Sequence, residues 1–101
     1  MKCLDDCHNY ELDNFIKGDR PEELAFYRMA LDGAKSPGTT NEEVIEVLIH
    51  RIEYLNEKWL DGKFSCDENS RAVSHLKMAL YQLNLRTADR MARKVEGTHS
   101  V

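Results

Sequence analysis

Two long apolar rhythms, separated by only a few residues, constrain this chain more than anything else in it. In the first, Val44, Ile45, Leu48, Ile52, Leu55 and Trp59 return every three or four positions, while Glu42, Glu46, Arg51, Glu53 and Lys58 largely occupy the opposite side. That spacing is one face of an α-helix. Thr40-Asn41-Glu42-Glu43 reads as a capping box at its start, the threonine oxygen accepting from the backbone of residue 43 and the Glu43 carboxylate reaching back. Asp61-Gly62 reads as its stop, so about 20 residues make a rod of about 30 Å. In the second rhythm, Val73, Leu76, Ala79, Leu80, Leu83 and Met91 follow a second capping box, Ser65-Cys66-Asp67-Glu68, and the helix is predicted to run to about Val95. So short a connection makes the two helices an antiparallel hairpin. Each alone is marginal in water, and burial of the facing apolar stripes holds them.

Before this pair the pattern weakens. Residues 1–20 mix acids with isolated apolar side chains (Leu4, Tyr10, Leu12, Phe15, Ile16), consistent with a short helix or with an arm that packs on a neighbour. Asp19-Arg20-Pro21-Glu22-Glu23 reads as a helix start, with Pro21 at the first helical position and acids in the first turn. Leu24, Tyr27, Ala30 and Leu31 follow at helical spacing, and Gly33 and Ser36-Pro37-Gly38 stop that short helix. No strand with two-residue alternation, no repeat and no low-complexity tract is read. The expected fold is therefore all-α: an antiparallel two-helix hairpin with a short additional N-terminal helix. The expected division is an N-terminal arm and short helix, 1–37, then a hairpin domain with a C-terminal ligand-binding tail, 38–101.

At 101 residues the chain buries a modest core. Ala72, Val73, Leu76, Met78, Leu80, Tyr81, Leu83 and Leu85 surround much of the last helix, more apolar surface than one stripe needs. A homo-oligomer is the expected consequence. The net charge of -4 argues against general DNA or RNA binding, which favours a basic face. No apolar run approaches the ~20 residues of a membrane span, and the N-terminus lacks a signal peptide's hydrophobic region. A soluble protein of the cytoplasm is expected, with Cys3, Cys7 and Cys66 as free thiols.

Charge is unevenly placed. Residues 1–33 hold eight acids and four bases, whereas residues 86–101 hold four bases and two acids. Arg86, Arg90, Arg93 and Lys94 fall on one stripe of a helix, and Gly97, Thr98 and His99 follow at once. Concentrated cations, a hydroxyl and an imidazole suit an anion, with phosphate the obvious candidate. The plainer alternative is that these cations offset the negative end of the helix dipole and Gly97 simply ends the helix.

Other chemistry is thin. His50 and His75 have no nucleophile placed beside them, and both read as ordinary helix residues. A di-metal bundle site needs Glu-x-x-His motifs, and Val47 and Ala72 stand where the glutamates would be. Cys3-x-x-x-Cys7-His8 has no second pair of metal ligands. Gly38-Thr39-Thr40 lacks the lysine of a phosphate loop and reads as turn plus cap. Tyr10, Phe26, Tyr27, Tyr54, Trp59 and Tyr81 offer faces on which a base can stack, but read mainly as core or subunit contacts, with Trp59 in the core. No catalytic residue, metal or cofactor is expected.

The stretch Thr39-Thr40-Asn41-Glu42-Glu43-Val44, then Arg51-Ile52-Glu53-Tyr54-Leu55-Asn56, Glu68-Asn69-Ser70, Leu83-x-x-Arg86-Thr87-x-Asp89-Arg90 and Val95-Glu96-Gly97-Thr98-His99 resembles the helical hairpin domain of phage anti-Thoeris and anti-CBASS proteins. The resemblance covers roughly residues 38–101, and the ending is its most specific part. It implies a non-enzymatic sponge that binds cyclic signalling nucleotides of bacterial immunity and sequesters them uncleaved, in symmetric oligomers that are commonly hexamers. It also implies that Arg86, Arg90, Gly97, Thr98 and His99 face a phosphate ring where subunits meet, with Arg93 and Lys94 as looser candidates. Symmetry turns one arginine per chain into a ring of cations. An alternative from another class is a helical protein-interaction module that inhibits a host protein.

Overall fold

A computed structural model of the chain describes residues 1–93. The chain divides into two compact units, Met1–Thr40 and Asn41–Val101. The first is built from strands and the second from helices, so the fold is α+β and the all-α expectation is wrong.

In the first unit, β1 (Lys2–Cys3), β2 (Asn9–Leu12) and β3 (Glu22–Ala25) form an antiparallel sheet in that order. Its register sets Cys3 opposite Tyr10, and Tyr10 opposite Leu24. β4 (Arg28–Met29) and β5 (Lys35–Ser36) make a second antiparallel pair around Gly33, whose φ of 86° suits a residue without a Cβ. The expected helix over residues 22–31 is therefore replaced by strands. Ten residues of helix have little stability of their own. As strands they complete a ladder with β2 and put the Phe26 ring edge-on to Tyr10, centroids 5.9 Å apart. Leu24, Phe26 and Arg28 are half-buried at every second position. That alternation is masked in the sequence because Ala25 and Tyr27, between them, are apolar too. Pro21 and the acids that read as a helix start precede and open β3 instead.

Gly38 has a sharper role than a turn. The chain passes so close to Phe26 and Tyr27 there that a Cβ would collide with their backbone atoms. The close approach lets Tyr27 N donate to Thr39 O and Thr39 N donate to Ala25 O, both at 2.9 Å.

In the second unit, α1 (Asn41–Glu57) and α2 (Asp67–Ala92) run antiparallel. Three side-chain pairs step along the two helices in opposite senses: Asn56 with Ser70, Glu53 with Lys77 and Glu42 with Arg86. Among the described residues, Ile49 and Val73, each 8% exposed, are the buried apolar ones. On α1, Glu42, Ile45, Ile49, Ile52 and Asn56 turn inward; on α2, Asn69, Val73, Leu76, Leu80, Leu83, Thr87 and Arg90 do so. Both sets follow alternating steps of three and four, the pattern of two helices meeting along a seam. The seam is rotated from the apolar face read in the sequence: Leu48 is 41% exposed, while Ile49 is buried.

The connection differs from the expected one. α1 stops at Glu57, a 3-10 turn follows at Trp59–Gly62, and Leu60 and Asp61 take the left-handed conformation, φ 49° and 57°. Trp59 lies outside the helix and is 43% exposed, so it is not core. Cys66, not Ser65, is the N-cap of α2, and it makes no side-chain cap. Asn56 does the holding instead: its Oδ1 accepts from Cys66 N at 2.9 Å and from Asn69 Nδ2 at 3.4 Å.

Candidate functional site

Arg86 and Arg90 lie on the last turns of α2, and Arg93 is its C-cap. Antiparallel pairing brings that end alongside the first turn of α1, where backbone N–H groups have no intrahelical partner and the dipole is positive. Of the seven residues proposed from sequence, Arg86, Arg90 and Arg93 are described; Lys94, Gly97, Thr98 and His99 lie outside the described residues.

The three arginines are not equivalent. Arg86 is exposed, with Nη2 3.9 Å from Oε1 of Glu42. That separation allows attraction but is too long for a hydrogen bond. Glu42 Oε1 is buried and has no hydrogen-bond partner among the described residues. Arg93 is tied one turn back to Asp89 at 2.8 Å, a charge-assisted bond. Arg90 turns into the seam, is half-buried, and makes no ion pair among the described residues. Among the described residues, then, Arg90 has no ion-pair partner, Arg86 faces Glu42 at a distance and Arg93 is already bonded. Thr87, also half-buried on the seam side, carries a hydroxyl on the same stretch of α2.

Sequence reasoning singled out the arginines, and weighed Glu42 only as a metal ligand beside Glu43 and Glu46, not as a partner of Arg86. Its signal was available: residues 42, 45, 49, 52 and 56 are spaced as a seam, and 42 is the charged end of it. The latch formed by Asn56, Asn69 and Ser70 was missed for the same reason. His50 and His75 are both exposed on their helices. His50 lies on α1 beside Glu46, Val47, Arg51 and Tyr54, an open, shallow surface.

A second polar cluster sits in the β1–β2 turn of the sheet unit. Asp5 Oδ1 accepts from the amides of His8 and Asn9 at 2.9 and 3.0 Å, and Oδ2 accepts from Asn9 Nδ2 at 2.6 Å. These bonds, led by the Asn9 side chain, lower the Asp5 pKa to about 2. Arg28 grips Asp6 with two parallel contacts of 2.8 Å. Asp5, Asp6 and His8 hold ligand-type atoms within 4.8 Å of one another. Those atoms are engaged by the turn's own amides and by Arg28, which makes them the structure of the turn.

The chain is similar to Thoeris anti-defense 1 of Bacillus phage SBSphiJ7, with 44% identity over 62 residues. The alignment covers 61% of this chain and 41% of the phage protein, so this chain spans less than half the length of that relative. No protein-family model matches the chain. Among the described residues, no helix is long and apolar enough to cross a membrane.

Proposed function

We propose that this chain is a phage counter-defence protein of the host cytoplasm that binds cyclic nucleotide or oligonucleotide immune signals and sequesters them without cleavage. The observation that carries the reading is the 44% identity to a phage protein named for defeating Thoeris. The arginines at the end of α2 give it a chemical basis. A cyclic oligonucleotide presents several phosphates close together, and each hydrogen bond from a guanidinium contributes about 1.5–3 kcal/mol. Arg90 is the principal contact in this reading, Arg86 the second, and Thr87 and Arg93 contribute at the edge. Lys94, Gly97, Thr98 and His99 remain part of the reading from sequence alone, since they lie outside the described residues. Binding and abundance suffice for a sponge, so no catalytic group is required.

The reading includes self-association, with a hexamer as the expected assembly. Its support is the outward face of α2, where Met78, Tyr81, Leu85, Ala88 and Ala92 repeat in steps of three and four while exposed. Met78 is 66% and Tyr81 61% exposed, on a face turned away from α1. The test is to mix purified protein with a panel of cyclic dinucleotides and trinucleotides, read the shift on a native gel, then heat and recover the ligand. Intact ligand is expected; degraded ligand makes the protein an enzyme, and no shift with any member refutes the reading.

The same outward face also supports the second reading, a module that inhibits a host protein through helix contacts. That reading predicts a stable complex with a host protein, and mass spectrometry of small molecules extracted from purified protein separates the two.

A further inference from the structure

We propose that Cys3 and Cys7 are a paired dithiol that closes to an intramolecular disulfide when a small-molecule disulfide of the glutathione type takes their electrons. The pair belongs to the sheet unit, and the proposal does not depend on the nucleotide-binding function. Its sulfurs are 4.0 Å apart and both side chains are exposed. A disulfide needs about 2.05 Å, so each sulfur has to move about 1 Å, a distance that side-chain rotation supplies.

The backbone holds the thiols in this arrangement. Cys3 ends β1, anchored by its pairing with Tyr10. Asp5 reverses the chain by accepting from the amides of His8 and Asn9. Cys7 then takes a left-handed φ of 71°, uncommon for a residue with a side chain. Cys3 Sγ donates to Asp5 O at 2.9 Å, which fixes its rotamer over the same turn. The neighbouring Cys7 thiol, ahead of burial, pushes the Tyr10 pKa up to about 12. A turn set in advance by Asp5 leaves little chain entropy to lose on closure, so the second thiol acts at high effective concentration.

The reaction balances in two exchanges. One cysteine, as thiolate, attacks a sulfur of the small disulfide and releases one small thiol. The other cysteine, as thiolate, attacks the protein sulfur of the mixed disulfide and releases the second small thiol. One protein S–S bond replaces the S–S bond of the oxidant, two protons pass from the cysteines to the released thiols, and two electrons move to the oxidant.

The full-length Cys66→Ser protein is equilibrated in buffers of graded reduced-to-oxidised glutathione, acid-quenched, and read by intact mass, thiol counting and peptide mapping. The expected result is the loss of both thiols in one transition, a mass lower by two hydrogens, and a Cys3–Cys7 linked peptide. The double variant Cys7→Ser, Cys66→Ser is expected to gain one stable glutathione adduct at Cys3, since its resolving thiol is gone. Stable adducts on the Cys66→Ser protein, or disulfide-linked dimers in place of the internal bond, overturn the proposal.

Discussion

The sheet unit is fastened by polar side chains, whereas the helical unit is fastened by an apolar seam with polar ends. In the former, Asp5 and Asn9 tie one turn, Arg28 grips Asp6, and Gly38 admits a close pass of backbone. In the latter, Ile49 and Val73 are buried at the middle of the seam, with Asn56 and Asn69 at one end and Glu42 and Arg90 at the other. The difference teaches where sensitivity lies. The helical unit depends on volume at its centre and can spare its two polar ends for a latch and a ligand. The sheet unit depends on a few directed bonds, and its sensitivity is to pH and to backbone space.

The largest effect expected on stability is in the helical seam. Ile49→Ala should cost about 2–4 kcal/mol in denaturant unfolding, and Leu48→Ala, one residue away and exposed, well under half as much. Equal costs would mean that the seam has been placed on the wrong face. Next is Gly38→Ala, whose methyl meets the Phe26 and Tyr27 backbone; about 1–3 kcal/mol is expected, with faster amide exchange at Tyr27 and Thr39. Unchanged exchange would contradict the close pass. Asn56→Ala should cost about 1–2 kcal/mol by releasing the Cys66 amide and Asn69, with the change confined to the turn between the helices.

The smallest effect is the acid response of the β1–β2 turn. The Asp5 pKa is lower folded than unfolded, so its contribution is present above the unfolded value of about 4. It is lost as pH falls from there through about 2. Protection of the His8 and Asn9 amides, taken relative to the intrinsic exchange rate at each pH, should therefore fall across that window, and Asp5→Asn should abolish the fall. An acid response that survives Asp5→Asn would assign it to another group.

The two units also differ in how plainly the sequence declares them. Two helices are legible from Thr40 onward because apolar residues recur over many turns and acids mark their starts. The choice of face is less legible: Leu48 and Ile49 are adjacent and equally apolar, and only the partner helix decides which is buried. The strands were hidden for a different reason. β1, β4 and β5 have two residues each, too few for any period to show. β3 follows Pro21 and opens with Glu22-Glu23, the same letters that start helices. The cationic residues of the candidate site were visible as a stripe, but their inequality was not. It arises from Glu42 and Asp89, which become partners of Arg86 and Arg93 only in the folded helices.

The proposed site at the end of α2 rests chiefly on Arg90, which has no ion-pair partner among the described residues. The most direct measurement is calorimetric titration of the best ligand from the cyclic nucleotide panel into the parent, Arg90→Ala, Arg86→Ala and Arg93→Ala proteins, each first shown to be folded. The account predicts affinity losses in the order Arg90, Arg86, Arg93, with Arg90→Ala weakening binding by about 1.5–3 kcal/mol, or roughly tenfold to a hundredfold. Binding by Arg90→Ala as tight as that of the parent would contradict it.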